Sequence, residues 1–154
     1  MSCALPPIEE LLPHRGTMLL LDRVLDFGAQ SATAEYAPRR AAWYADANGK
    51  MPAWIGIELM AQTVAVHAGL IKRSEGLPPK PGALLGARRY TSTQPAFAAD
   101  QPLRIEATVI YSDPGGFSAY QCSITTAGQQ LASATLKVFA PDSFQHLLQA
   151  SHQS

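Results

Sequence analysis

The sequence predicts an α+β fold in which an antiparallel sheet wraps around one long central helix. Two observations carry this. The segment Trp54 to Leu70 is apolar on all sides, and a helix of that kind has to be buried. Runs with strand character flank it, two before and four after. Loops cannot bury such a helix on every side, whereas a sheet folded around it can.

In chain order, Ile8 to Leu12 reads as a short helical turn stopped by Pro13. Thr17 to Phe27 (TMLLLDRVLDF) is a leucine-rich strand closed by Gly28, and Ser31 to Tyr36 alternates as its hairpin partner. Arg39 to Met51 has no periodicity and carries Asp46, Asn48 and Gly49, so it is a loop. Pro52 opens the central helix, which fades at Lys72, Arg73 and Gly76 after about 20 residues, or roughly 30 Å. Leu77 to Pro81 is a stiff linker. Four strands follow: Gly82 to Thr91, Leu103 to Ser112, Phe117 to Thr126 and Gln130 to Phe139. Turn signals at 98–100, 113–116 and 127–128 separate them. The tail from Ser143 reads as a loose amphipathic helix around Phe144, Leu147 and Leu148. This arrangement is the hotdog architecture, in a single domain over residues 1–154. Pairing with a second subunit would cover its open sheet edge.

Composition narrows the function. The 154 residues carry a formal net charge of zero, and no basic stripe suggests nucleic-acid binding. Cys3 and Cys122 fit no metal or redox spacing and read as free thiols; no metal and no cofactor are expected. The N-terminal residues lack the pattern of a signal peptide, and no run of ~18 apolar residues spans a bilayer. A soluble, cytoplasmic protein is the expectation.

The chemistry centres on MPAWIGIELMAQ, Met51 to Gln62. Glu58 is the one carboxylate in an apolar stretch, and isolated carboxylates are seldom buried without a partner. Burial raises a carboxyl pKa, which suits general acid–base catalysis. An ion pair or a capping contact is the bland alternative. Gln62, four residues on, shares the face of Glu58 and can orient it. His67 is half a turn round, on the opposite face, and reads as structural or interfacial.

LLPHRGTMLLLDRV (Leu11 to Val24) resembles the N-terminal signature of the FabZ-type 3-hydroxyacyl-acyl-carrier-protein dehydratases, and MPAWIGIELMAQ resembles the start of their central helix. DQPLRIEATV and QLASATLKV fall where that family has later strands. The nearest resemblance is to the divergent ApeP-like branch, associated with aryl polyene synthesis. The resemblance implies a hotdog fold and a site at a subunit interface, in a homodimer or a heterodimer with another hotdog subunit. It implies a partner too: an acyl carrier protein presenting a phosphopantetheine-linked 3-hydroxyacyl thioester, dehydrated to the trans-2-enoyl product. Glu58 matches the family glutamate and Gln62 the helix glutamine. Pro52 matches the proline of a proline-glycine pair, whose glycine N–H binds the thioester carbonyl. Ala53 stands at that glycine, keeping the N–H.

The family histidine lies fourteen residues before the glutamate, and that position here is Tyr44. Tyr44 is therefore the candidate second catalytic group beside Glu58, with Asp46 and His14 as alternatives. Asp46 also reads as a loop former, His14 as structural, and His146 and His152 as solvated. Trp54, with Trp43 and Phe97, is a candidate lining of an acyl pocket. Lys72, Arg73, Lys80, Arg88 and Arg89 could form a basic rim for an acidic carrier protein. Two other readings stay open: a non-catalytic hotdog subunit that pairs with an active dehydratase, and an acyl thioesterase.

Overall fold

The computed structural model describes residues 5–12, 16–77 and 83–140. In chain order its elements are a short helix α1 (Ile8–Leu11), strands β1 (Arg23–Phe27) and β2 (Ser31–Tyr36), and a two-residue strand β3 (Met51–Pro52). The long helix α2 (Ile55–Ser74) follows, then β4 (Ala83–Ser92), β5 (Ala96–Phe97), β6 (Leu103–Ser112), β7 (Phe117–Thr126) and β8 (Gln129–Phe139). Six strands form one antiparallel sheet in the order β1-β2-β6-β7-β8-β4, and β3 pairs with β5 in a separate ladder. α2 packs along the inner face of the six-stranded sheet. This is the predicted hotdog architecture.

Strand alternation explains the core. In β6, Leu103, Ile105 and Ala107 point inward and are buried, while Arg104 and Glu106 point out. Ala32, Ala34 and Tyr36 of β2 and Ala132, Ala134 and Leu136 of β8 line the same face. β7 and β8 are joined at Ala127 and Gly128, with φ of 49° and 79°. Two successive left-handed residues twist the chain in the sense the hairpin needs.

Four expectations need correction. Thr17 to Phe27 is not one strand: Gly16–Met18 forms a 3₁₀ turn and the ladder begins only at Arg23. The reason is that the Leu20 and Leu21 N–H groups both donate to the Gln62 side chain, at 3.1 and 3.4 Å, instead of to a strand. Pro52 does not open the helix; Met51 and Pro52 pair with Phe97 and Ala96, which delays the first helical residue to Ile55. β5 was not expected at all. Finally, α2 is not buried all round. Ile57, Ala61, Ala65, Ala68, Ile71 and Lys72, with Glu58 on the flank, stay partly exposed along one stripe. Residues 78–81 of the expected linker, the C-terminal tail, Cys3, Pro13, His14, Lys80, His146 and His152 lie outside the described residues.

His67 faces the sheet, as its position opposite Glu58 implied. Its Nε2–H donates to the Ala29 carbonyl at 3.1 Å, so Nδ1 accepts from the Tyr120 hydroxyl at 2.8 Å. It thereby ties α2 to β7 and to the β1–β2 turn. Burial lowers the His67 pKa from the usual 6.5. The unfolded chain therefore binds this proton first. The stability that neutral His67 contributes is complete above about pH 6.5 and is lost as pH falls below it. A urea midpoint lower at pH 5.5 than at pH 7.5, with a weaker dependence in His67→Gln, is the expected outcome. Cys122 is buried, and burial pushes its thiol up to about 12, so it is unreactive at neutral pH. Among the described residues no helix is long and apolar enough to cross a membrane, and no group of side chains could hold a metal ion.

Candidate functional site

Glu58 sits in the first turn of α2, half-buried, where the partly exposed stripe begins. Its side chain is partly rather than fully buried, contrary to expectation. Its orientation comes from Gln62, whose Nε2 donates to Glu58 Oε1 at 3.1 Å and to the Met18 carbonyl at 2.8 Å. Gln62 Oε1 accepts from the Leu20 and Leu21 N–H groups. This amide is 0% exposed, and its bonds join the carboxylate to the segment before β1. The i, i+4 spacing that put both residues on one helix face thus becomes a direct contact.

Tyr44 belongs to a different network. Its hydroxyl is hydrogen-bonded to that of Tyr36 and accepts from the Arg39 N–H at 3.0 Å. The Arg39 guanidinium lies 5.2 Å from the centre of the Tyr36 ring and pairs with Asp22. Burial, then the Tyr44 hydroxyl, pushes the Tyr36 pKa well above the tyrosine range. The proximity of Asp22 raises the Arg39 pKa further. Tyr44 is only 6% exposed, and it borders a pocket of about 430 Å3 that Asp22, Tyr36 and Arg39 also line. Glu58 does not line that pocket; it bonds to Gln62, whereas Tyr44 bonds to Tyr36 and Arg39. Among the described residues, the two candidate catalytic groups belong to different hydrogen-bond networks.

Asp46 is engaged in its own loop. Its carboxylate accepts from the Asn48 and Lys50 N–H groups at 2.8 and 3.0 Å, which is the loop-forming use of an aspartate. Trp43 and Trp54 are 55% and 63% exposed; Trp43 borders the Tyr44 pocket, Trp54 does not, and Phe97 is wholly in the core. Lys72 and Arg73 lie at the far end of α2, roughly 30 Å from the helix start, and each pairs with a glutamate. Arg88 and Arg89 are exposed on β4.

The start of α2 is tightly determined. The Ala53 N–H donates to the Pro95 carbonyl at 2.9 Å, so it is already used inside the fold. The Ala53 carbonyl accepts from the Gly56 N–H at 2.9 Å and from the Tyr90 hydroxyl. The next two N–H groups, of Trp54 and Ile55, have no acceptor among the described residues. Gly56 makes room for Tyr90: a Cβ there would lie 2.4 Å from the Tyr90 hydroxyl and 3.1 Å from Ile124 Cδ1. Gly56→Ala is therefore expected to destabilise the chain by about 1–3 kcal/mol through overpacking, read as a lower urea midpoint.

Sequence reasoning missed Tyr36, Arg39 and Tyr90. Tyr36 could have been found, because it continues the inward set Ala32, Ala34 of β2. Tyr90 sits in the basic run ARRYT, which carries no sign that one side chain turns inward.

Comparison with known proteins agrees with the fold. The fold superposes on the dehydratase heterocomplex ApeI:P from Xenorhabdus doucetiae with a TM-score of 0.86 and 25% identity, covering 96% of this chain and 98% of that one. An HP0420 homologue from Helicobacter felis matches at 0.68 and 13% identity, over 93% and 95% of the two chains. A hypothetical thioesterase with coenzyme A from Streptococcus pneumoniae matches at 0.59 and 16% identity, over 77% and 84%. These last two show the fold alone. No curated protein sequence matches the chain. The family model of ApeP-like proteins, described as ApeP dehydratase, matches residues 6–149. The chain belongs to the ApeP-like dehydratase family.

Proposed function

We propose that this protein is the glutamate-bearing subunit of a two-chain hotdog dehydratase. Its substrate is a 3-hydroxyacyl thioester on the phosphopantetheine arm of an acyl carrier protein, in aryl polyene or a related fatty-acid-like synthesis in the cytoplasm. Glu58 supplies one half of the acid–base pair, and a histidine of a second hotdog subunit supplies the other. One group takes the proton from the carbon next to the thioester carbonyl. The other protonates the departing 3-hydroxyl, so the products are the trans-2-enoyl thioester and water. The observation that carries this reading is the Glu58–Gln62 pair on the flank of a helix stripe that stays partly exposed.

Three further features support it. Tyr44, at the family histidine's position, has its hydroxyl bound to Tyr36 and the Arg39 N–H, which suits a fixed core residue better than a proton carrier. The stripe beside Glu58 is largely alanine and isoleucine and suits a neighbouring subunit. The similar ApeI:P structure is a dehydratase heterocomplex.

The test incubates the purified chain with 3-hydroxyacyl and saturated acyl carrier-protein thioesters, alone and with an ApeI-type subunit. Enoyl product that requires both subunits is expected. Enoyl product from this chain alone would assign the second catalytic role to Tyr44 or another group of its own. Free acid and released thiol would make it a thioesterase.

A further inference from the structure

The geometry at the start of α2 points to Tyr90 as a positioning residue: we infer that its hydroxyl orients and polarises the Ala53–Trp54 peptide so that the Trp54 N–H binds the substrate carbonyl. This rests on the dehydratase reading above and adds to it the group that stabilises charge on the thioester oxygen.

The argument starts from the peptide itself. A trans peptide points its C=O and N–H in opposite directions. Here the C=O of Ala53 is held from the fold side by the Tyr90 hydroxyl and the Gly56 N–H. The N–H of the same peptide, carried by Trp54, is therefore directed the other way, and it has no acceptor among the described residues. A donor on the carbonyl draws electron density toward oxygen and makes the N–H a better donor, the cooperativity expected of chained hydrogen bonds. The Ala53 N–H cannot take the role, because it is bonded to the Pro95 carbonyl.

Three separate features serve this one contact. β4 carries an extra residue where Arg88 opposes Thr135 and Thr91 opposes Ser133, so a bulge precedes Thr91. Inside that bulge Arg89 adopts a φ of 56°, a left-handed conformation that a non-glycine residue adopts at a cost. The bulge re-aims Tyr90 beneath the helix, and Gly56 lacks the Cβ that would meet its hydroxyl. Burial raises the Tyr90 pKa, which keeps the hydroxyl protonated and donating at neutral pH.

The test uses the chain assembled with its ApeI-type subunit and a 3-hydroxyacyl carrier-protein thioester. Tyr90→Phe keeps the ring and removes only the donor. Direct loss of one such carbonyl-binding donor costs on the order of 100- to 1,000-fold in kcat, and loss of the group behind it is expected to cost on the order of tenfold, with KM unchanged. A difluorotyrosine in place of Tyr90 keeps size and packing but ionises at lower pH. It is expected to show a new loss of kcat on the alkaline side, where it stops donating. This second variant decides the matter even where Tyr90→Phe folds poorly. Wild-type kcat in Tyr90→Phe, or no alkaline loss in the difluorotyrosine protein, overturns the inference. Glu58→Gln, run in parallel, separates the two claims: full activity there removes Glu58 from the proposed site, whereas the Tyr90 variants report on the carbonyl-binding donor alone.

Discussion

Glu58→Gln in this chain is expected to lower enoyl-thioester formation by the assembled pair roughly 100- to 10,000-fold, the range that a general acid–base group contributes. Glutamine has the shape of glutamate, and its amide oxygen can still accept from Gln62 Nε2, as Glu58 Oε1 does at 3.1 Å. The carboxylate is only half-buried, so the exchange leaves no charge stranded in the core. Stability should stay within about 0.5 kcal/mol of the wild type, typical of a change outside the core. Loss of turnover with an unchanged urea midpoint and unchanged subunit association therefore isolates chemistry from folding. A variant that keeps a tenth or more of the rate removes Glu58 from the mechanism.

Gln62→Leu is expected to have the largest effect on stability. The amide is 0% exposed and serves Met18 O, Leu20 N, Leu21 N and Glu58 at once. Leucine fills the volume but answers none of these groups. A buried polar group left without its partner costs about 1–3 kcal/mol, and three backbone groups are affected. A loss of roughly 3 kcal/mol or more follows, a large share of the 5–15 kcal/mol typical of a whole domain. Urea denaturation reads it directly, and a change below about 1 kcal/mol would show that Gln62 does not hold the segment before β1. Activity falls as well, since Glu58 loses the donor that orients it.

These two residues also mark how far the sequence could be read. The fold was legible because strand alternation and one long apolar helix leave few ways to bury the chain; Leu103–Ser112 and Phe117–Thr126 emerged with the expected bounds. The Glu58–Gln62 contact was legible because a helix converts a spacing of four into adjacency. What was not legible depends on long-range hydrogen bonds. Leu19 to Asp22 look like strand, yet Leu20 and Leu21 give their N–H groups to a side chain 42 and 41 residues away. Met51 and Pro52 look like a helix start, yet they pair with Phe97 and Ala96. The Tyr36–Tyr44–Arg39 network joins residues whose individual patterns say only strand or loop. The partly exposed stripe on α2 was hidden for a different reason. Apolar residues read alike whether they face their own core or the surface of another subunit.

The central claim is that Glu58 completes a site whose histidine lies on a second subunit. The most direct measurement is complementation. An ApeI-type subunit in which any carboxylate at the position of Glu58 has been replaced by the amide is mixed with this chain, and enoyl formation is followed. The account predicts that the crippled subunit is inactive alone, regains turnover with this chain, and loses it again with Glu58→Gln. No recovery on mixing, in a pair that demonstrably associates, would contradict it.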